Sequence, residues 1–223
     1  MSKNTSIWLV IIVVLAVAGV ALWQKEDAVK APVASVAEQN DSGNLEGLED
    51  GEYTVDTVSS KIGWEGSKTL IVNYFDRGTV GLKNGSFEVR DGVIVSGTFT
   101  VDMTSITAIS TGRGDGQDRL STHLKSPDFF GAAKYPTAVF TLTEVKESGQ
   151  ISGDLTIKGI TKPVTFSTSV ESSGGEARAT AEVVLDRTLW DVRYGSGKFF
   201  QNLGNNVISD NFKVTLDIAA RRN

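Results

Sequence analysis

The sequence contains no cysteine, a single histidine and only four prolines. The absence of cysteine excludes disulfide bonds, thiolate catalysis and cysteine-based zinc sites. The single histidine, His123, excludes a multi-histidine metal centre, and no G-x-S-x-G turn accompanies it as a serine hydrolase of the α/β class requires. Acidic and basic residues are interspersed at a net charge of −5, so no basic patch points to nucleic acid.

One long apolar run is present, at residues 7–23, and it follows Lys3. At a rise of 1.5 Å per residue the run spans about 25 Å, close to the thickness of a bilayer core, and a tryptophan stands at each end. This pattern predicts a transmembrane anchor at residues 1–23 with everything that follows outside the cytoplasm. A secretory signal cleaved near Ala18 is the alternative, and it places the rest of the chain on the same side.

Residues 24–50 contain no aromatic residue and are rich in Ala, Glu, Asp, Asn, Ser and Gly. A segment of this composition cannot bury enough apolar surface to order itself. It is interpreted as a flexible acidic linker, which leaves residues 51–223 as the folded domain.

From Tyr53 onward, apolar and polar residues alternate with a period of two, as is typical of strands with one buried face. Segment 93–103, for example, is expected to turn Val95 and Phe99 inward. The pattern predicts an all-β fold of eight or nine antiparallel strands, which must pack on a second sheet or close into a barrel. Only residues 115–126 have helical spacing, which predicts one short helical connection.

The strand predicted at residues 176–186, "EARATAEVVLD", places Ala177, Ala179 and Ala181 on its dry face. Small inward side chains, together with Gly97 and Gly153, remove bulk from the interior. An eight-stranded barrel is just wide enough to be filled by side chains or to enclose one small ligand. The small residues therefore indicate either a ligand cavity or room for large neighbours such as Phe99, Phe140 and Phe166.

Two connections are unusually aromatic. Phe129 and Phe130 follow a Ser-Pro pair and are expected to close one end of the barrel, together with Tyr135. Residues 186–200 gather charged side chains around Trp190, which predicts either a salt-bridged loop or a rim that contacts the polar head of a ligand. His123 is expected to be packed or hydrogen-bonded at the barrel end.

The chain from Tyr53 to about residue 221 resembles the YceI-like polyisoprenoid-binding family. The resemblance is carried, in family order, by "YTVDTVSSKIGWEGSK", "GTFTVDMTSI", "HLKSPDFFGAAKYPTAVF", "GDLTIKGITKPVTF" and "LDRTLWDVRYGSG". It implies an extended, lipocalin-like antiparallel barrel whose lumen binds a long isoprenoid or another amphiphilic lipid in the bacterial extracytoplasmic space. It implies a binding protein without a cofactor rather than an enzyme.

The expected ligand-binding residues of the lumen and its mouth are Val95, Gly97, Phe99, Phe129, Phe130, Phe140, Leu155, Phe166, Ala177, Ala179, Ala181, Trp190 and Arg77. Arg77 stands where the family often has a histidine, and it would favour an anionic or carbonyl head group. A structural or adhesion module with a filled core is the alternative function, and a lipid-modifying enzyme is a weaker one. The sequence leaves the oligomeric state open, a dimer being one option.

Overall fold

The computed structural model describes residues 47–146 and 148–223, which form eight β-strands, one α-helix and two short 3-10 helices. The strands are β1 (Gly51–Ser67), β2 (Phe75–Arg90), β3 (Val93–Ser110), β4 (Thr137–Val145), β5 (Gln150–Ile157), β6 (Ile160–Ser173), β7 (Glu176–Asp186) and β8 (Asn211–Arg222). Helix α1 (Gln117–Lys125) lies between β3 and β4, and the 3-10 helices (Arg187–Trp190 and Gly204–Asn206) lie between β7 and β8. The predicted all-β fold with one helical connection is confirmed, with eight strands rather than nine.

The transmembrane segment predicted at residues 1–23, and most of the predicted linker, lie outside the described residues. Within the part that the structure describes, no helix is both long enough and apolar enough to cross a membrane.

The eight strands form a closed antiparallel barrel in which each strand pairs with its neighbours along the chain and β8 pairs with β1. In the part of the chain that the structure describes, closure places each of the eight strands between two neighbours. Because the strands run alternately up and down, the connections fall into two groups. Short connections (residues 91–92, 146–149 and 174–175) and the leading residues 47–50 lie at what we call the turn end. Long connections (residues 68–74, 111–136 and 187–210, with the short turn 158–159) lie at what we call the loop end.

A bulge in β1 changes which residues of that strand face the interior. The Asp56 carboxylate accepts hydrogen bonds from the backbone N–H groups of Val58 and Ser59 at 3.0 and 3.1 Å. The pairing register with β8 shifts at this point. The buried positions consequently change from odd-numbered Tyr53 to even-numbered Ile62.

A second bulge turns Val95 outward. Glu88 pairs with Ser96 and Val89 pairs with Ile94, so that Val95 is the extra residue of the bulge. Val95 is 46% exposed, whereas Ile94 is buried. The prediction that Val95 faces the lumen is therefore wrong, because it assumed an uninterrupted alternation along β3.

The aromatic connection after α1 folds back over the loop end. The Ser126 hydroxyl donates to the His123 carbonyl at 2.7 Å, and the Ser126 carbonyl accepts from the N–H groups of Phe129 and Gly131 at 3.1 and 2.8 Å. These bonds close a compact turn that buries Phe129 and half-buries Phe130. The two rings cover this end of the interior, as the sequence indicated.

The turn end is sealed by a cluster of apolar side chains. Tyr53 is completely buried, and its ring stacks on Phe87 with the centroids 4.8 Å apart. Leu48 is buried in the same cluster, and the Tyr53 hydroxyl donates to the Glu49 carbonyl at 3.0 Å. Residues 47–50, which the sequence analysis assigned to the linker, therefore form part of the folded domain.

Candidate binding cavity

The barrel encloses a cavity of about 320 Å³ that runs through most of its length. This volume is at the lower end of the roughly 300–1,000 Å³ range of small-molecule sites. Its walls are apolar except for a few residues near the loop end. Away from that end, the polar wall residue is Thr168, whose hydroxyl donates to the Thr180 carbonyl at 3.0 Å. The deep wall therefore offers a ligand no free hydrogen-bond donor among the described residues.

Small residues on β7 form one side of this space. Ala177 and Ala179 line the cavity, whereas Ala181 packs against the neighbouring apolar cluster and is not part of the wall. The alanine face thus creates empty volume at two of its three predicted positions.

The two glycines make room for neighbouring rings. A Cβ at Gly153 would lie 2.3 Å from Phe140, and one at Gly97 would lie 3.2 and 3.3 Å from Phe87 and Phe99. Both interpretations of the small residues are therefore correct, each for different positions: alanines 177 and 179 face the cavity, and Gly97 and Gly153 accommodate aromatic neighbours.

Aromatic rings form much of the opposite wall. Phe140 lies between Phe99 and Phe166, with ring centroids 6.3 and 5.7 Å apart, and all three line the cavity. Leu155, Phe129 and Phe130 also belong to the wall. The predicted residues that the structure brings together around the cavity are Phe99, Phe129, Phe130, Phe140, Leu155, Phe166, Ala177 and Ala179.

The cavity reaches the surface at the loop end, between the end of β1 and the start of β2. Ser67, Lys68 and Asp76 belong to its wall and are half-exposed. Beside them, a Cβ added at Gly66 would have no atom within 4 Å. We call this opening, bordered by Gly66, Ser67, Lys68 and Asp76, the mouth.

Charged groups surround the mouth. The Lys68 ammonium lies 5.0 Å from the centre of the Tyr74 ring, and the Asp76 carboxylate accepts from the Gly112 N–H at 3.0 Å. Burial, and after it the nearby Asp76 carboxylate, raises the pKa of Tyr74. The mouth is thus bordered by one cation, Lys68, and one anion, Asp76.

Arg187 is a buried charge behind the mouth. Its Nε and Nη1 donate to the carbonyls of Ser209 and Val192 at 2.9 and 2.7 Å, and Nη2 donates to the Ile208 carbonyl at 3.2 Å. Burial lowers the pKa of Arg187, and the carboxylate of Asp210 opposes that effect. Arginine nevertheless remains charged at physiological pH. The Arg187 guanidinium thus stabilises the loop 187–210 through these hydrogen bonds. Arg187 also lines the cavity.

The rest of this loop forms ion pairs. Lys198 lies 2.8 Å from Asp186 and 3.3 Å from Asp210, and Arg193 lies 2.7 Å from Asp191. The interpretation of residues 186–200 as a salt-bridged loop is therefore confirmed.

Trp190 is buried beneath the same loop. Its Nε1 donates to the Leu155 carbonyl at 3.0 Å, and the side chain packs in the core rather than in the cavity wall.

Arg77 lies on the outer face of the barrel. Its Nε is 2.6 Å from the Glu65 carboxylate on the adjacent strand, its side chain is 55% exposed, and it does not line the cavity. The expectation that Arg77 faces a ligand head group is therefore not met by this geometry. The predicted ligand-binding residues that do not line the cavity are therefore Arg77, Val95, Gly97, Ala181 and Trp190.

Sequence reasoning missed Trp64 and Lys68, which line the cavity near the mouth. The Trp64 ring lies over Gly78, where an added Cβ would come within 2.5 Å of it, and its Nε1 donates to the Thr107 carbonyl at 3.2 Å. The alternation of Ile62, Trp64 and Gly66 could have shown this inward face once the bulge in β1 was recognised.

His123 is packed at the loop end, as expected. Its Nε2 lies 3.2 Å from the Asp128 carboxylate, and its ring makes edge contacts with Phe129 and Tyr194 at 4.9 and 4.6 Å. It is not part of the cavity wall. Among the described residues, no three His, Cys, Asp or Glu side chains are grouped so that they could hold a metal ion.

These features define a small closed barrel with an internal apolar cavity. The model of the YceI-like domain matches residues 53–220, and the chain belongs to the YceI-like family.

Known relatives cover parts of the chain. Protein YceI of Escherichia coli O6:H1 (strain CFT073) is 39% identical over 102 residues, which are 41% of this chain and 51% of that protein. UPF0312 protein plu2095 of Photorhabdus laumondii is 47% identical over 55 residues, 23% of this chain and 29% of the relative. The chain thus spans about half the length of the E. coli relative that it matches.

Two solved structures share the fold. BcnA of Burkholderia cenocepacia superposes with a TM-score of 0.59 at 19% identity, covering 74% of this chain and 98% of BcnA. A polyisoprenoid binding domain from Saccharophagus degradans, implicated in plant cell wall breakdown, superposes with a TM-score of 0.58 at 16% identity, covering 77% and 98%. At these identities the likeness concerns the fold.

Proposed function

We propose that this protein binds an isoprenoid or similar amphiphilic lipid in the lumen of its barrel. The observation that carries the proposal is the cavity, which has apolar walls, is sealed at the turn end and reaches the surface at the loop end. A purely structural or adhesion module would be expected to have a filled core, whereas the interior formed by the described residues contains this space.

The geometry favours an elongated ligand with one polar end. Its apolar chain would lie along the barrel axis against Ala177, Ala179 and the phenylalanine rings, where burial of apolar surface supplies the binding free energy. Its head group would lie at the mouth beside Lys68 and Asp76, the region where polar side chains border the cavity. A chain too long for about 320 Å³ would extend out through the mouth.

Family membership supports this proposal. The Saccharophagus degradans domain that shares the fold is described as polyisoprenoid-binding. Among the described residues that form the wall, we identify no pair of nucleophile and base, and His123 packs away from the cavity, which favours binding over catalysis.

The proposed location is the bacterial cell envelope, with the barrel outside the cytoplasm and the chain anchored by residues 7–23. The apolar run after Lys3 supports this location. We expect the full-length protein to stay in the membrane fraction after an alkaline carbonate wash. A soluble product whose first residue is Gly19 would show that the segment is cleaved and would contradict the anchor.

The ligand can be identified by mass spectrometry of lipids extracted from the full-length protein, purified from a bacterial membrane. Because detergent-solubilised membrane proteins carry bulk lipid, the control is the Ala179→Trp variant purified in parallel, in which the added ring occupies the cavity. We expect one class of amphiphile, at up to one molecule per chain, to be enriched in the wild-type protein and depleted in the variant. Identical lipid profiles in both preparations would contradict binding in the lumen.

A further inference from the structure

The loop end exposes an unusual amount of apolar surface. Of the nine large apolar side chains that are exposed among the described residues, six lie at this end: Leu70, Val72, Ile109, Tyr194, Phe199 and Phe200. Val72 is 87% exposed, and it follows Leu70 and Ile71 in the same loop. Exposure of these apolar side chains to water is unfavourable. Exposed apolar side chains concentrated at one end of a domain point to an interaction site.

The two loops that carry most of these side chains are joined to each other. Lys68 pairs with Ile208 in an isolated β-bridge, and the Thr69 N–H donates to the Val207 carbonyl at 3.1 Å. The Arg193 guanidinium lies 4.6 Å from the centre of the Phe199 ring. The Ile208 N–H in turn donates to the Gly195 carbonyl at 2.8 Å, so that the loop at residues 68–74 is joined through Ile208 to the segment that begins at Tyr194, beside the mouth.

The charge of the loop end is opposite to that of the turn end. The loop-end connections (residues 68–74, 111–136, 158–159 and 187–210) contain nine basic and five acidic residues, a formal net charge of +4. The turn-end segments (residues 47–50, 91–92, 146–149 and 174–175) contain one basic and four acidic residues, a formal net charge of −3. The overall charge of −5 conceals this polarity.

Many basic side chains of the loop end have no acidic partner among the described residues. Six basic side chains of this end have no described carboxylate within 4 Å: Lys68, Arg113, Arg119, Lys125, Lys134 and Lys158. At the turn end, by contrast, Arg222 pairs with Glu49, and Arg221 pairs with Glu176. The loop end therefore offers cations that are available to an external anion.

We propose that the loop end docks on an anionic lipid bilayer, with Leu70, Val72, Phe199 and Phe200 entering the interface and the basic residues contacting the head groups. A bilayer matches both features at once, because its interface accepts apolar and aromatic side chains and its anionic head groups attract lysine and arginine. A second copy of this chain would instead place two positively charged loop ends against each other.

Docking in this orientation would turn the mouth toward the bilayer. If the proposed lipid ligand is correct, it could then pass between membrane and lumen without crossing bulk water. The docking itself depends on the surface and not on the ligand, so that a failure to dock would leave binding in the lumen unaffected.

The absence of cysteine allows a direct test with the full-length chain. Single cysteines introduced by Phe200→Cys and Val95→Cys are labelled with an environment-sensitive fluorophore, and the protein is reconstituted in vesicles. The two positions are matched, since Phe200 at the loop end is 49% exposed and Val95 near the turn end is 46% exposed. The vesicles contain either equal amounts of phosphatidylcholine and phosphatidylglycerol or phosphatidylcholine alone.

We expect the label at position 200 to shift to the blue, and to be quenched by brominated lipid, in the anionic vesicles only. The label at position 95 should remain in water. The proposal would be overturned if the label at position 200 were as exposed to water as the label at position 95. Equal docking on both kinds of vesicle would also overturn it. Burial of the label without vesicles, under a second copy or under the chain's own apolar segment, would also overturn it.

A charge variant tests the electrostatic part. The variant combines Arg113→Gln, Arg119→Gln and Lys134→Gln. It should lower the ratio of docked to free loop ends by roughly a hundredfold at low salt, because each basic residue near an anionic surface contributes roughly a fivefold factor to this ratio. The matched control removes three charges away from the loop end, by Lys61→Gln, Lys83→Gln and Lys146→Gln, and should leave docking unchanged. Equal losses in both variants would overturn the role of the loop-end cations.

Discussion

The two ends of the barrel are built in opposite ways. At the turn end, short connections and residues 47–50 bring Leu48, Tyr53 and Val89 into a sealed apolar cluster, and Arg221 and Arg222 there are paired with carboxylates. At the loop end, long connections leave a mouth, exposed apolar side chains and unpaired cations. The comparison indicates that the turn end mainly contributes stability, whereas the loop end is where we propose contact with a ligand and a membrane.

The largest expected effect concerns the sealed end. Tyr53→Ala should lower the free energy of unfolding by about 3–5 kcal/mol, because it removes a fully buried ring that stacks on Phe87. Urea unfolding followed by circular dichroism measures this loss. In the control, Tyr53→Phe, the ring stays and the hydrogen bond to Glu49 is lost, which should cost only about 1 kcal/mol. A loss below 1 kcal/mol for Tyr53→Ala would contradict the sealed end.

The next prediction concerns the mouth and should affect binding without affecting stability. Gly66 lines the mouth, an added side chain there meets open space, and the backbone is not in the left-handed region. Gly66→Leu should therefore slow the uptake of a fluorescent polyene fatty acid several-fold. Its melting temperature should stay within about 1–2 °C of the wild-type value.

The matched control at the mouth is Gly66→Ala, which adds a single carbon and should leave uptake nearly unchanged. If Gly66→Leu took up the fatty acid as fast as the wild-type protein, the ligand would have to enter elsewhere.

A smaller effect is expected from acid. Burial disfavours the charged form of Asp186, but the hydrogen bonds from Lys198 and Thr188 outweigh it and lower its pKa below the ordinary value. A carboxylate with a lowered folded-state pKa stabilises the protein above the unfolded-state pKa of about 4, and this contribution disappears as the pH falls through the folded-state pKa.

Hydrogen exchange measures this effect locally. The protection factors of amides in residues 187–210 should fall below about pH 4 before those of β7 do, and Asp186→Asn should remove part of this pH dependence. A simultaneous loss of protection in both regions would contradict a separate, carboxylate-dependent loop.

The sequence determines the barrel more clearly than the details of its wall. The bounds predicted for the alanine strand, 176–186, coincide with those of β7 because its alternation is uninterrupted. The face of Val95 was mispredicted because a bulge depends on pairing with β2, which a local pattern does not contain. Arg77 was assigned to the ligand because it stands where the family often has a histidine, and its partner Glu65 is identified only by the register of β1 and β2.

The glycines illustrate the same limit within the site. Gly97 and Gly153 were grouped with the alanines by size, yet Gly97 adjoins Phe87 on neighbouring strand β2 and Gly153 adjoins Phe140 on neighbouring strand β4. Whether a small residue creates a cavity or accommodates a ring is decided by its cross-strand neighbours. Those neighbours become known only when the register of every strand is fixed.

The most direct test of the account is a pair of tryptophan substitutions on one strand. Ala179 lines the cavity and Ala181, two residues further on, packs against the apolar cluster. Ala179→Trp should abolish lipid binding while its melting temperature stays close to that of the delipidated wild-type protein, because the ring enters existing space. Ala181→Trp should lower the free energy of unfolding by about 1–3 kcal/mol through overpacking. A marked loss of stability in Ala179→Trp, equal to that in Ala181→Trp and with no lipid bound to the wild-type protein, would contradict a ligand-binding lumen.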